Sequence, residues 1–393
     1  MSLHLASPSP PPPPEAVLAS GQPEVGESAA TARAKRGKRE RRAKKRAAAK
    51  EDPFVKKVRA SLSKRLSQVP SLKGKLDATE LPIARGAFVG SLVARDPDGV
   101  QTVDELRAAG YEVFDWDGST PYTLLDRDGR VIALLAGHPQ DPQWGATVEA
   151  ANCAMEEAYR DCTFTREDKV HRRGTFATLA RGVSFGGGRT TPGNISNSKK
   201  NEAALRRLCD NHAIKRLAGF GTSMLATYAP RIFANTQEKL KQLYDHHPTL
   251  KTNFQNSIYP AASFNFGPAT ACVPHTDAAN DAVNWCHIVA LGRYDPDKGG
   301  HVVLRDFKLV IRFPSGSSIM IPSAIICHAN TPIQPNETRM SFTQYCAGGL
   351  LRWVECGFRT VKTFAQEDPE AFRAYEADLD ERTRRSCEMF HRL

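Results

Sequence analysis

His275 and Asp277 stand two residues apart in Pro274-His275-Thr276-Asp277, and on an extended strand residues so spaced point to one face. His328 follows Asp277 by 51 residues (328 minus 277), enough for several short strands that return the chain to the same point. Two neutral imidazoles and one carboxylate on a common face make a facial metal site, which suits Fe(II) and leaves positions open for a co-substrate and oxygen. A His-X-Asp alone is a common coincidence in a chain with 11 histidines. Its company sets it apart. Arg339 stands 11 residues beyond His328 (339 minus 328), and Ser341 follows two later on a run of alternating character that ends at Tyr345. A planar guanidinium holds a carboxylate bidentately, and a serine on the same face adds a further donor. The chemistry implied is a metal ion beside a site for a carboxylate-bearing ligand.

These side chains need strands to hold them. From Ala261 onward the texture becomes short β-prone runs broken by turns: 261–266, 272–275, 285–291, 301–305, 308–313, 317–321, 325–328 and 339–345. Turns are signalled at Asp295 to Gly300 and at Pro314 to Gly316. Eight such runs fit a jelly-roll, the double-stranded β-helix. His287 and His301 have no ligand two residues away on the same face, so packing in the core or at an edge is their better reading. Cys327 should face away from His328 on its strand and belong to the core. Asn265, on the strand before the His-X-Asp, fits two readings: proximity to the co-substrate, or an amide satisfied locally.

The order His275-Thr276-Asp277, His328, Arg339-Met340-Ser341 resembles the double-stranded β-helix dioxygenases that use Fe(II) and 2-oxoglutarate. The wider wording, Phe185 to Arg189, Pro192 to Asn194, Gly299-Gly300, Pro314 to Gly316 and Ala347 to Trp353, resembles the fungal clade related to the Tet/JBP family. That likeness spans 124–358. It implies Fe(II) held by His275, Asp277 and His328, 2-oxoglutarate and O2 as co-substrates, Arg339 and Ser341 on the far carboxylate, and oxidation of methyl groups on pyrimidine bases in nucleic acid. A flipped base would need an aromatic partner, and Phe185, Phe266 and Trp353 are the candidates; at least two of the three are expected in the core.

The fold class expected is α+β: the β-helix core at 181–365, a tail at 1–52, a small α+β bracing region at 53–180, and a C-terminal helix at 366–393. The tail opens with Pro and Ser and has almost nothing to bury, which predicts disorder. Its basic block decides how the net charge of +11 is read, because 33–50 holds 11 Lys or Arg and one acid, which leaves +1 for the other 375 residues. Nuclear import, contact with a phosphate backbone, and a merely solubilising tail all fit such a run. In the bracing region, the runs 111–116, 120–125 and 131–135 read as strands, with a hairpin turn at Asp126 to Arg130 and a helix over 144–161.

Farther along, three glycines at 186–188 permit close backbone approach, and Arg189, Lys199 and Lys200 can meet phosphates; a flexible surface connection is the alternative. One helix is predicted over 201–217 and another over 230–244. His212, His246 and His247 read as surface or capping residues. Nine cysteines without a Cys-X-X-Cys pair point to reduced thiols. No apolar run approaches membrane-spanning length, so no membrane partner is expected. Three function classes stay open: a nuclear nucleic-acid base dioxygenase, a dioxygenase of protein or small molecules, and a non-catalytic binding module of the same fold.

Overall fold

The computed structural model describes residues 53–92 and 99–393, with side chains from Ala60 onward. The expected disordered tail and its basic run therefore lie outside the described residues. In chain order the helices are α1 (Pro53–Leu66), α2 (Val103–Ala108), α3 (Trp144–Asp161), α4 (Arg166–Lys169), α5 (Lys199–Asp210), α6 (His212–Tyr228), α7 (Pro230–His246), α8 (Gly348–Glu355), α9 (Val361–Glu367) and α10 (Pro369–Cys387). The strands are β1 (Ser71–Lys73), β2 (Glu112–Phe114), β3 (Tyr122–Leu125), β4 (Val131–Gly137), β5 (Val170–His171), β6 (Gly174–Thr175), β7 (Ala177–Ser184), β8 (Gly193–Asn194), β9 (Ala261–Phe266), β10 (Cys286–Arg293), β11 (Val302–Leu304), β12 (Leu309–Ile311), β13 (Ser318–Ile321), β14 (His328–Asn330) and β15 (Thr338–Tyr345).

Two sheets organise the molecule. The larger runs β1-β3-β4-β13-β10-β15-β9-β7-β8 and the smaller β14-β11-β12-β2. Within them β9, β10, β13 and β15 pair antiparallel in one sheet, and β11, β12 and β14 in the other. An isolated antiparallel bridge between His275 and His328 adds the His-X-Asp segment beside β14. This alternation of consecutive strands between two facing sheets is the double-stranded β-helix. Apolar residues of both sheets, among them Val302, Leu304, Ile311, Ile319 and Ile321, share one buried core.

Alternation along β9 and β15 splits their side chains between two environments. Phe264, Phe266, Met340 and Phe342 point outward and pack under α3, α5 and α6, while Ser263, Asn265, Arg339 and Ser341 line the interior face, in the register Ser341 opposite Asn265. The helical layer thus fixes the outer face of the strands whose inner face carries the site.

Several expectations need correction. The runs 272–275 and 325–328 are not regular strands: the first makes only the bridge at His275, and 323–326 is a turn before β14 begins at His328. The helix expected over 201–217 is two helices, because the Asn211 side chain accepts from the N–H groups of Ala213 and Ile214 and starts α6 anew. The strands of the N-terminal region enter the core sheets, β2 beside β12 and β4 beside β13. None of the nine cysteines forms a disulfide, and Cys327 is only half-buried rather than in the core. No described helix is long and apolar enough to cross a membrane.

Candidate metal centre

His275, Asp277 and His328 come together. Their ligand atoms lie within 4.8 Å of one another, with His275 Nε2 3.9 Å from Asp277 Oδ1 and His328 Nε2 4.0 Å from Asp277 Oδ2. Each imidazole is oriented from behind: Nδ1 of His275 lies 2.8 Å from the Val273 carbonyl, and Nδ1 of His328 3.0 Å from that of Ile326. A carbonyl only accepts, so both Nδ1 atoms carry the proton and both Nε2 lone pairs face the site, as a metal-binding histidine requires. Burial holds both imidazoles below their ordinary pKa and therefore neutral near pH 7. Burial also pushes Asp277 upward, but the two imidazoles, which are charged only at acid pH, together with Arg173 and Arg172 outweigh it, and the carboxyl stays below its usual range and ionised. The donor set is two neutral nitrogens and one carboxylate.

Arg172 was not visible from spacing. It sits at the tip of the β5–β6 hairpin and grips the metal-site carboxylate, with Nη2 2.8 Å from Asp277 Oδ1 and Nη1 2.8 Å from the Thr276 carbonyl. A basic pair followed by a turn glycine, Arg172-Arg173-Gly174, is the only sequence signal for it. Arg173 begins a polar chain along the interior face: it donates to Thr178 Oγ1 (3.2 Å), Thr178 donates to Asn265 Oδ1 (2.9 Å), and Asn265 Nδ2 donates to Ser341 Oγ (2.8 Å). Asn265 is thus satisfied locally and also lines the interior. Because Ser341 Oγ already accepts, its proton is left to donate to a ligand.

Arg339 is the side chain that most needs a partner. It is 1% exposed, yet no carboxylate of the described residues pairs with it. Its Nη1 donates to the Thr270 carbonyl at 2.7 Å, the guanidinium lies 5.9 Å from the Tyr294 ring centre, and Nε has no hydrogen-bond partner. A buried cation without a counter-charge is costly unless an anion completes the site. Glycines leave room for the arginine and its aromatic neighbour: Gly292 stands opposite Arg339 on β10, and a Cβ at Gly300 would lie 3.2 Å from Arg339 Cδ and 2.6 Å from Tyr294 Cε2. The residues present therefore fit a divalent metal at one end of the interior and a carboxylate at the other.

The other histidines are elsewhere. His287 is fully buried between Ser318 Oγ and Gln344, and His301 bonds Thr331 Oγ1 at 3.1 Å; both are packing residues, as expected. His212 is exposed at the start of α6, His246 stacks on Phe358, and His247 accepts from Trp353 Nε1. Phe266 and Trp353 are buried in cores under the helices, which removes them as base-stacking candidates, and Phe185 packs edge-on against Trp353 at 5.1 Å. Arg189, Lys199 and Lys200 are exposed.

No family model matches the chain, and neither does any curated protein. Among solved structures it is similar to NgTET1 in complex with 5mC DNA, at 16% identity and a TM-score of 0.40 over 61% of this chain and 83% of that one. A 2OG-Fe(II) oxygenase family oxidoreductase from Burkholderia pseudomallei is matched at 18% identity and a TM-score of 0.29, over 52% and 80%. The viral collagen prolyl hydroxylase of Paramecium Bursaria Chlorella virus-1, in its 2OG complex, is matched at 15% identity and a TM-score of 0.19, over 28% and 68%. The fold is a double-stranded β-helix. It rests on the strand order and pairing in this chain.

Proposed function

We propose that the protein is an Fe(II)- and 2-oxoglutarate-dependent dioxygenase that oxidises the methyl group of 5-methylpyrimidine bases in nucleic acid. The observation that carries the first half is the pairing of two neutral, backbone-oriented imidazoles and an ionised carboxylate with a buried, anion-seeking Arg339 inside one barrel. His275, Asp277 and His328 would hold the iron, and Arg339 with Ser341 the far carboxylate of 2-oxoglutarate. The bound cofactor and co-substrate supply the oxidation of a C–H bond at the expense of O2 and oxidative decarboxylation of the oxoacid. The chain supplies placement: the Val273 and Ile326 carbonyls fix the imidazole tautomers, Arg172 aims the carboxylate, and Leu304, Ile319 and Ile321 keep the interior apolar.

The nucleic-acid half rests on the sequence resemblance and on the basic run from Arg33 to Arg46, which would supply phosphate contacts and nuclear import. Exposed Arg189, Lys199 and Lys200 would add to them. The base would leave the stack to reach a buried iron. Incubation with Fe(II), 2-oxoglutarate and DNA containing 5-methylcytosine, read by nucleoside mass spectrometry, should give oxidised methylcytosine with succinate. Unchanged nucleosides across methylated DNA and RNA would refute the substrate.

A second reading, hydroxylation of a protein or small molecule, is favoured by the near-neutral charge outside 33–50 and by an open, mostly apolar cleft of about 1090 Å³ between the β5–β6 hairpin and 332–337. Activity unchanged by removal of 1–52 would support it.

A further inference from the structure

Arg339 is joined at the foot of the barrel by a second buried group with an unmet hydrogen bond. Thr270 is 1% exposed and its Oγ1 has no partner. Its backbone is tied to the arginine in both directions: Thr270 N–H donates to the Arg339 carbonyl at 3.1 Å, and the Thr270 carbonyl accepts from Arg339 Nη1 at 2.7 Å. The residue that carries the unpaired hydroxyl is thus bonded directly to Arg339, next to the parallel bridge of Ala269 with Arg339. A buried hydroxyl left unpaired lowers stability. Beside a buried cation without a counter-charge, the simplest group to satisfy both is one anion.

We propose that Thr270 is a third donor to the far carboxylate of the 2-oxoacid co-substrate and a determinant of its selection as a dicarboxylate. The inference rests on the oxygenase reading of the same site. A carboxylate offers two oxygens and about four lone-pair sites. Arg339 Nε, the Ser341 hydroxyl and the Thr270 hydroxyl are three donors available to them, because Ser341 Oγ already accepts from Asn265. An oxoacid lacking the second carboxylate would leave all three buried and unpaired, the arrangement by which a polar site rejects an analogue strongly. Thr270 is a selectivity residue, since its hydroxyl serves the far carboxylate and not the iron.

The test is anaerobic calorimetry on the full chain loaded with Fe(II), with 2-oxoglutarate and 2-oxobutyrate as ligands, for wild type, Thr270→Val and Thr270→Ser. The valine variant should bind 2-oxoglutarate about tenfold or more weakly, as expected for loss of one hydrogen bond to a charged group. It should bind 2-oxobutyrate as wild type does, and the serine variant should stay close to wild type for both. Without ligand, the valine variant should melt at or above the wild-type temperature, because a methyl replaces an unpaired buried hydroxyl.

Wild-type affinity for 2-oxoglutarate in the valine variant would overturn the inference. So would equal weakening towards both oxoacids together with a lower melting temperature, the mark of a packing role. Failure of wild type itself to bind 2-oxoglutarate would overturn the oxygenase reading along with it.

Discussion

Replacing Arg339 by methionine removes the guanidinium and keeps much of the length of the side chain. In the protein alone, the guanidinium donates to the Thr270 carbonyl, lies against the Tyr294 side chain and is otherwise buried without a counter-charge. One charged hydrogen bond contributes about 1.5–3 kcal/mol, and desolvating an unpaired cation offsets several kcal/mol in the other direction. The unliganded variant is therefore expected to be as stable as wild type or more so. With 2-oxoglutarate present the sign reverses. Removing one partner of a buried ion pair costs roughly 3–5 kcal/mol, which at about 1.4 kcal/mol per tenfold is a loss of roughly two to three and a half powers of ten in affinity. Anaerobic calorimetry with 2-oxoglutarate measures the second effect, and thermal unfolding without ligand measures the first. A variant that binds 2-oxoglutarate within about tenfold of wild type would refute the anion-site reasoning. One that loses more than about 3 kcal/mol of stability without ligand would show that Arg339 is a structural cation instead.

Asp281 is buried, and burial pushes its carboxyl up to about 7 against the pull of Arg382 and the Asn284 N–H. The folded state then holds this proton more tightly than the unfolded state, so its effect on stability is absent near pH 4 and grows unfavourable as pH rises to about 7. Asp281→Asn should be more stable than wild type at pH 8, by up to about 4 kcal/mol, and equal to it near pH 4; equal unfolding midpoints in denaturant at pH 8 would contradict this. Phe342 is fully buried against Phe254 and Phe264 on the helical face of β15. Phe342→Ala should lower unfolding free energy by about 3–5 kcal/mol, and a loss below about 1 kcal/mol in urea titration would mean that the helical layer does not clamp this strand.

Much of the site could be read in the chain because its spacing carries its geometry. Alternation from Arg339 to Tyr345 sorted Arg339 and Ser341 onto one face, and β15 keeps them there. His328 could be paired with the His-X-Asp because the intervening turns return the strands to one end of the barrel. What was hidden depends on partners far away in sequence. The pairing of β2 with β12 and of β4 with β13 is set by burial against distant strands, and nothing local in 111–135 marks it. Asn211 interrupted a continuous helical pattern through a cap, which competes with helix continuation at one residue only. Thr270 is not visible in the sequence because its significance is an unmet hydrogen bond beside Arg339, and neither is the role of Arg172, whose partner Asp277 is 105 residues away.

Anaerobic titration of Fe(II) into wild type and His328→Ala tests most directly whether the distant histidine completes one centre with the His-X-Asp pair. One iron per chain for wild type, with affinity falling by about a hundredfold or more in the variant, is the expected result. Iron bound as tightly by the variant as by wild type would contradict it.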